Sequence, residues 1–136
     1  MPYSADEMYE LIVDIESYPD FLPWCAGAKV VNHDQHHSIG TVDLKAGKLS
    51  YSFTTKNTMQ PGSEIKMRLV KGPFRHLNGS WQFESAGNSS CAVTLDVSFE
   101  FKNKVIKLAL GKILNRIMET IIDSFAQRAI EIYGRR

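Results

Sequence analysis

Residues 103–133, NKVIKLALGKILNRIMETIIDSFAQRAIEIY, form one unbroken run with the period of an α-helix, and Asn103 is its expected N-cap. Its polar residues Lys112, Asn115, Arg116, Glu119, Asp123, Gln127 and Glu131 fall on a single stripe. The rest is broadly apolar: Ile106, Leu110, Ile113, Leu114, Ile117, Met118, Ile121, Ile122, Phe125 and Ala129. A helix lying on a surface buries an apolar stripe roughly 100° wide. This one carries more apolar surface than such packing covers, so the remainder of the chain has to wrap it.

From Gly27 to Phe101 the hydrophobic period changes to two, in runs separated by Gly, Asn, Pro and Ser. Val42 and Leu44 alternate with polar neighbours in TVDLK, Leu49, Tyr51 and Phe53 in LSYSF, and Ile65, Met67 and Leu69 in EIKMRL. Leu77, Gly79, Trp81 and Phe83 follow in LNGSWQF, then Val93, Leu95, Val97, Phe99 and Phe101. This alternation predicts an antiparallel meander with one dry face. Combined with the helices, it predicts an α+β fold in which a curved antiparallel sheet encloses the C-terminal helix.

Ahead of the sheet, Ser4 and Glu7 have capping-box spacing, flanked by Tyr3 and Met8 as a hydrophobic staple. A helix is expected from Ala5, with Met8, Leu11, Ile12 and Ile15 on its apolar face. Pro19 would end that run and head a short second turn closed by Pro23. That turn, ESYPDFLPWC, spends Tyr18, Phe21, Leu22 and Trp24 on a connection, and apolar residues in a connection must cover something.

At 136 residues the chain is long enough for one domain, residues 1–136, to bury a core unaided. A net charge of +1 with 43% hydrophobic residues excludes a disordered chain and any global polyelectrolyte character. Cys25 and Cys91 form no CxxC and are too few for a disulfide framework. The start MPYSADEMYE has no apolar targeting core, and no run approaches the length of a membrane span. The expectation is a soluble, unexported, cytoplasmic protein.

Candidate sites are few. HDQHH groups His33, His36 and His37, but in a probable hairpin loop and without the spacing of a zinc motif, so no metal is expected. Cys25 lacks any identifiable base such as His76, and Asp96 and Glu100 fall on the polar face of their strand. No nucleotide loop or paired-acid motif occurs, so no reaction is indicated. The inward aromatics and methionines read either as core or as the lining of a cavity. Gly79 and Gly111 suggest close approach or room left for something. Lys102, Lys104, Lys107, Lys112 and Arg116 make a one-signed cluster with no acid between Glu100 and Glu119. Lysines at a helix N-terminus oppose the macrodipole, so they do not serve the helix. They read as a solvated face or as a contact for anionic lipid or ribosomal RNA, which Lys71 and Arg75 could extend.

The order of these parts, SYPDFLPWC, then a meander with KGPFRHLNGSWQF, then FEFKN leading into the long helix, resembles the coenzyme Q-binding family, which is START-like and related to polyketide cyclases. Its bacterial branch includes the ribosome-association toxin. The resemblance spans essentially the whole chain and implies a helix-grip fold, a sheet closing on the last helix around an apolar tunnel. The implied wall is Tyr51, Phe53, Met67, Trp81, Phe83, Leu114, Met118, Ile121 and Phe125, and the implied mouth is Phe21, Leu22, Trp24, Phe74 and Leu77.

The resemblance implies a ligand such as ubiquinone or another polyprenyl quinone, held by burial in support of respiration, with no cofactor required and no catalytic residue. It also allows a peripheral contact with an anionic inner membrane. The toxin branch implies instead that the basic surface binds the large ribosomal subunit and blocks subunit joining. A polyketide cyclase or dehydratase shares the fold but would need an acid/base pair that cannot be pointed to. Members usually carry a strand before the first helix, whereas only Met1 and Pro2 precede Tyr3 here. An open sheet edge and a tendency to self-associate are therefore expected.

Overall fold

The structure is a computed structural model that describes residues 1–31, 34–87 and 89–136. Helix α1 (Ala5–Val13) starts on the expected capping box. The Glu7 N–H donates to Ser4 Oγ at 3.1 Å, and the Ser4 N–H donates to Glu7 Oε1 at 2.9 Å. Its buried face is Ala5, Met8, Tyr9 and Ile12, with Leu11 only half-buried.

The helix stops at Val13, earlier than Pro19 would require. Asp14 leaves helical geometry at ψ 71°, and its carboxylate accepts the Ser17 hydroxyl at 2.5 Å. A local side-chain bond of this kind competes with helix continuation. A 3-10 turn (Ile15–Asp20) follows, with Pro19 inside it rather than at its head.

Six strands then form one antiparallel sheet in sequence order: β1 (Cys25–Val31), β2 (His37–Ala46), β3 (Leu49–Gln60), β4 (Glu64–Lys71), β5 (Phe74–Ser85) and β6 (Cys91–Phe101). The register places Val42 opposite Phe53, and Ile65 and Leu95 on either side of Trp81, so the alternating apolar residues share one face. Irregularities at Cys25/Gly27, Thr54/Thr55 and Phe74/His76 interrupt the ladder and bend it, which curls the sheet. Leu49 departs from the expected inner face and is 52% exposed, because it pairs with Ala46 at the last rung beside the turn.

Helix α2 (Lys104–Tyr133) lies in the curl, and its Asn103 cap accepts the Ile106 N–H at 2.9 Å. Its fully buried seam is Leu110, Leu114, Ile117, Ile121, Phe125 and Ala129, while the expected polar stripe is exposed. The far end is tied to α1. Tyr3 Oη donates to the Gly134 carbonyl at 2.6 Å, and Tyr133 Oη donates to the Glu7 carbonyl at 2.9 Å. Arg136 makes two bonds to the Glu7 carboxylate at 2.7 and 2.8 Å, which hold its pKa down to about 2. The sheet's edges are β1 and β6, and at the β6 edge Met1 and Cys91 exchange two backbone bonds at 2.9 and 3.1 Å.

Candidate functional site

The aromatic turn closes one end of the grip. Tyr18 Oη donates to the Ile12 carbonyl at 2.5 Å, satisfying a carbonyl that the end of α1 leaves open, and burial pushes the phenol's pKa up. Its ring meets Phe125 edge-on at 5.4 Å, as does Phe21, and Trp81 meets Phe125 at 5.6 Å. The Arg128 guanidinium covers the outer side of Phe21, 4.9 Å from its centroid. The apolar turn thus seals α1 and the sheet onto the C-terminal part of α2.

Between the sheet's inner face and α2 lies an apolar cavity of about 130 Å³. Of the expected wall, Phe53, Met67, Trp81, Leu114, Met118 and Ile121 line it; of the expected mouth, Trp24, Phe74 and Leu77 do, but Phe74 and Leu77 are buried, at 3% and 8% exposed, and are part of the wall and not of an opening. Tyr51, Phe83 and Phe125 belong to the packed core around it. Phe83 stands edge-on to Tyr9 at 5.7 Å, and Phe125 is enclosed by the rings just described. Phe21 and Leu22 are not at the mouth either: Leu22 is 1% exposed in the core, and Phe21 faces a separate surface groove beside Arg128.

The expected wall and mouth omitted Ile15, Tyr18, Gly40, Val42, Leu44, Thr55, Leu95, Val97, Phe99 and Ile117, which also line the cavity. Gly40 and Thr55 face each other across β2 and β3, on the same face as Val42 and Phe53, so strand parity was the signal that could have found them. Gly79 does make room, because a Cβ there would meet Met67 Cε at 2.6 Å. Gly111 does not: a Cβ there would meet nothing within 4 Å.

The second feature is the basic start of α2. Lys102, Lys104, Lys107, Lys112 and Arg116 are all exposed, and among the described residues none of their side chains makes an ion pair. No acid occupies the first turn to offset Lys104 and Lys107 against the helix dipole. A surface groove of about 430 Å³ runs between Arg75, Glu100, Lys104 and Lys107, and Phe99 lines both this groove and the inner cavity. Glu100 is engaged at 4.0 Å by Arg75 and at 3.8 Å by His76. Val105 and Leu108, also in these turns, are 75% and 86% exposed.

The other candidates have ordinary surroundings. His33 lies outside the described residues. His36 Nδ1 lies 3.2 Å from the Met59 carbonyl, and His37 lies 3.6 Å from Asp34, whose carboxylate also accepts the His36 and His37 N–H groups at 2.7 Å. Among the described residues no group of His, Cys, Asp or Glu is placed to hold a metal. Cys25 and Cys91 are buried free thiols whose pKa values burial raises, the reverse of what a nucleophile needs. Asp96 and Glu100 point to solvent as expected, and no described helix is long and apolar enough to cross a membrane.

Comparison with known proteins gives these features a lineage. A Vibrio cholerae protein named ribosome association toxin RatA is 40% identical over 132 residues, covering 97% of this chain and 92% of that protein. The mitochondrial coenzyme Q-binding protein COQ10 homolog B of Xenopus laevis is 23% identical over 138 residues, 98% of this chain but 57% of its own length. Among solved structures, the Zhui aromatase/cyclase of a Streptomyces species superposes with a TM-score of 0.83 at 15% identity, over 99% of this chain and 93% of that one, a likeness of fold. The family model described as polyketide cyclase/dehydrase and lipid transport matches residues 1–126. With its sheet curled around a single long helix, the chain is a member of that START-like polyketide cyclase/dehydrase and lipid transport family.

Proposed function

We propose that the chain associates with the ribosome and inhibits translation, docking the basic start of α2 on the large subunit so that subunit joining is blocked. The observation that carries this reading is the set of five exposed cations, Lys102, Lys104, Lys107, Lys112 and Arg116, without ion-pair partners among the described residues. Lys104 and Lys107 work against their own helix, and the cluster gains free energy when phosphates neutralise it and release counterions. Relatives bearing the ribosome-association name over almost the full chain support the same reading. The test is gradient sedimentation of a lysate at low salt. The parent should travel with large subunits, and a Lys107→Glu/Lys112→Glu variant should stay at the top. Co-sedimentation of both to the same extent would refute the docking surface.

The 130 Å³ cavity favours a second role that is compatible with the first, retention of a hydrophobic molecule. An engineered cavity of about 150 Å³ takes up benzene, so the space suits a single ring. A ubiquinone or other polyprenyl quinone would seat its ring there, against Trp24, Phe74 and Leu77 among other apolar side chains. Burial alone would hold it, at about 25 cal/mol per Å² of apolar surface. Met118→Trp should fill the space and abolish ligand recovery in an organic extract with little change in thermal stability. A variant that retains the parent's extractable ligand would contradict this role.

A further inference from the structure

The cavity is apolar on most sides, but one end of it is not. Asn57, Ser38 and Thr55 are only 1%, 5% and 6% exposed, and they point inward from the start of β2 and the second half of β3. They are chained: Thr55 Oγ1 donates to Asn57 Oδ1 at 2.8 Å, and Asn57 Nδ2 donates to Ser38 Oγ at 3.3 Å. Thr55 lines the main cavity, while Ser38 and Asn57 line a chamber of about 20 Å³ beside it. Ile15, Tyr18, Met67 and Trp81 line both spaces, so only side chains separate them.

Such a chain is expensive in a core, since each group loses water, and three apolar residues of similar size would pack there without that loss. Gly40 preserves the arrangement, because a Cβ there would come within 3.0 Å of Ile15 Cδ1 and 3.4 Å of Asn57 Nδ2. Trp81 adds a donor. Among the described residues its indole N–H meets no hydrogen-bond acceptor and is not sealed off, and the residue, 4% exposed, lines both the cavity and the chamber. The smaller chamber has the volume of about one water molecule, with polar groups to hold it.

We infer that this polar end reads a hydrogen-bonding group on the cavity's occupant. The preferred ligand class is then a single-ring amphipath bearing a hydroxyl or carbonyl, and not plain hydrocarbon. Thr55 Oγ1 offers lone pairs to a ligand hydroxyl while its own proton is committed to Asn57, and the Trp81 N–H offers a proton to a carbonyl or hydroxyl oxygen. The inference rests on the ligand-binding reading above and adds to it the chemistry of the ligand's polar end.

The test uses toluene and p-cresol, which differ by one hydroxyl, titrated into the full chain and followed through its indole N–H signals by NMR. A wholly apolar cavity prefers toluene on the order of tenfold or more, because it strips water from the hydroxyl and returns nothing. The polar end predicts that p-cresol binds at least as tightly as toluene and selectively shifts the Trp81 signal. Thr55→Val, nearly isosteric, should leave toluene binding unchanged and weaken p-cresol by about tenfold. A parent that takes toluene and refuses p-cresol overturns the polar end while leaving the ligand reading intact, as does an unchanged ratio in Thr55→Val. Binding of neither probe overturns both.

Discussion

Two stretches of α2 carry similar side chains to opposite fates. From Leu110 to Ala129 an aliphatic or aromatic residue is buried at every turn, and Phe125 is 1% exposed among three other rings. Over Lys104–Leu108 the aliphatics Val105 and Leu108 are left in solvent among lysines. Hydrophobicity and helical period set which faces of a helix can be buried; the reach of the sheet sets which are. The gripped stretch carries the cavity, and the free one begins the surface through which we propose the chain acts, which continues along the exposed side of the gripped stretch at Lys112 and Arg116.

The largest expected contrast lies in deleting side chains from the two stretches. Phe125→Ala should cost about 3–5 kcal/mol in denaturant unfolding, because it leaves a hole between Tyr18, Phe21 and Trp81. Comparable stability in parent and variant would mean the grip is looser than described. At the junction of the two stretches, Gly111→Ala should raise stability by roughly 0.5–1 kcal/mol, since the new methyl meets nothing within 4 Å and glycine is a poor helix former. A loss there would mean that something covers this part of the helix. Leu108→Ser should change stability by no more than about 0.5 kcal/mol despite removing a large aliphatic group. A larger loss would assign Leu108 to a packed surface and erase the contrast.

The same contrast explains what could be read in advance. Local rules located the Ser4 capping box, the Asn103 cap and the inward alternation of the strands, because each depends on residues close in sequence. Local rules also misplaced the end of α1, where the Asp14 carboxylate competes with the next turn.

Whether an inward side chain meets another side chain or empty space depends on distant strands. Trp81 and Phe83 alternate on one strand, yet Trp81 lines the cavity and Phe83 packs on Tyr9. Phe21 and Leu22 were misplaced for the same reason: the length of α1 and the position of Phe125 decide where the turn's side chains point. Ser38, Thr55 and Asn57 escaped notice because polar residues within strands read as outward, although their parity matches that of Val42 and Phe53.

The most direct test of the central claim is the salt dependence of binding to purified large ribosomal subunits, with anionic vesicles as the competing surface. Affinity of the parent for the subunit should fall steeply with salt, with a slope of log K against log salt of about −0.7 to −0.9 for each phosphate neutralised. In Lys107→Glu/Lys112→Glu the affinity should drop and the slope should flatten by roughly two such contacts, with unfolding unchanged. Equal affinity and slope for parent and variant on the subunit, or a loss seen only on vesicles, would contradict the account.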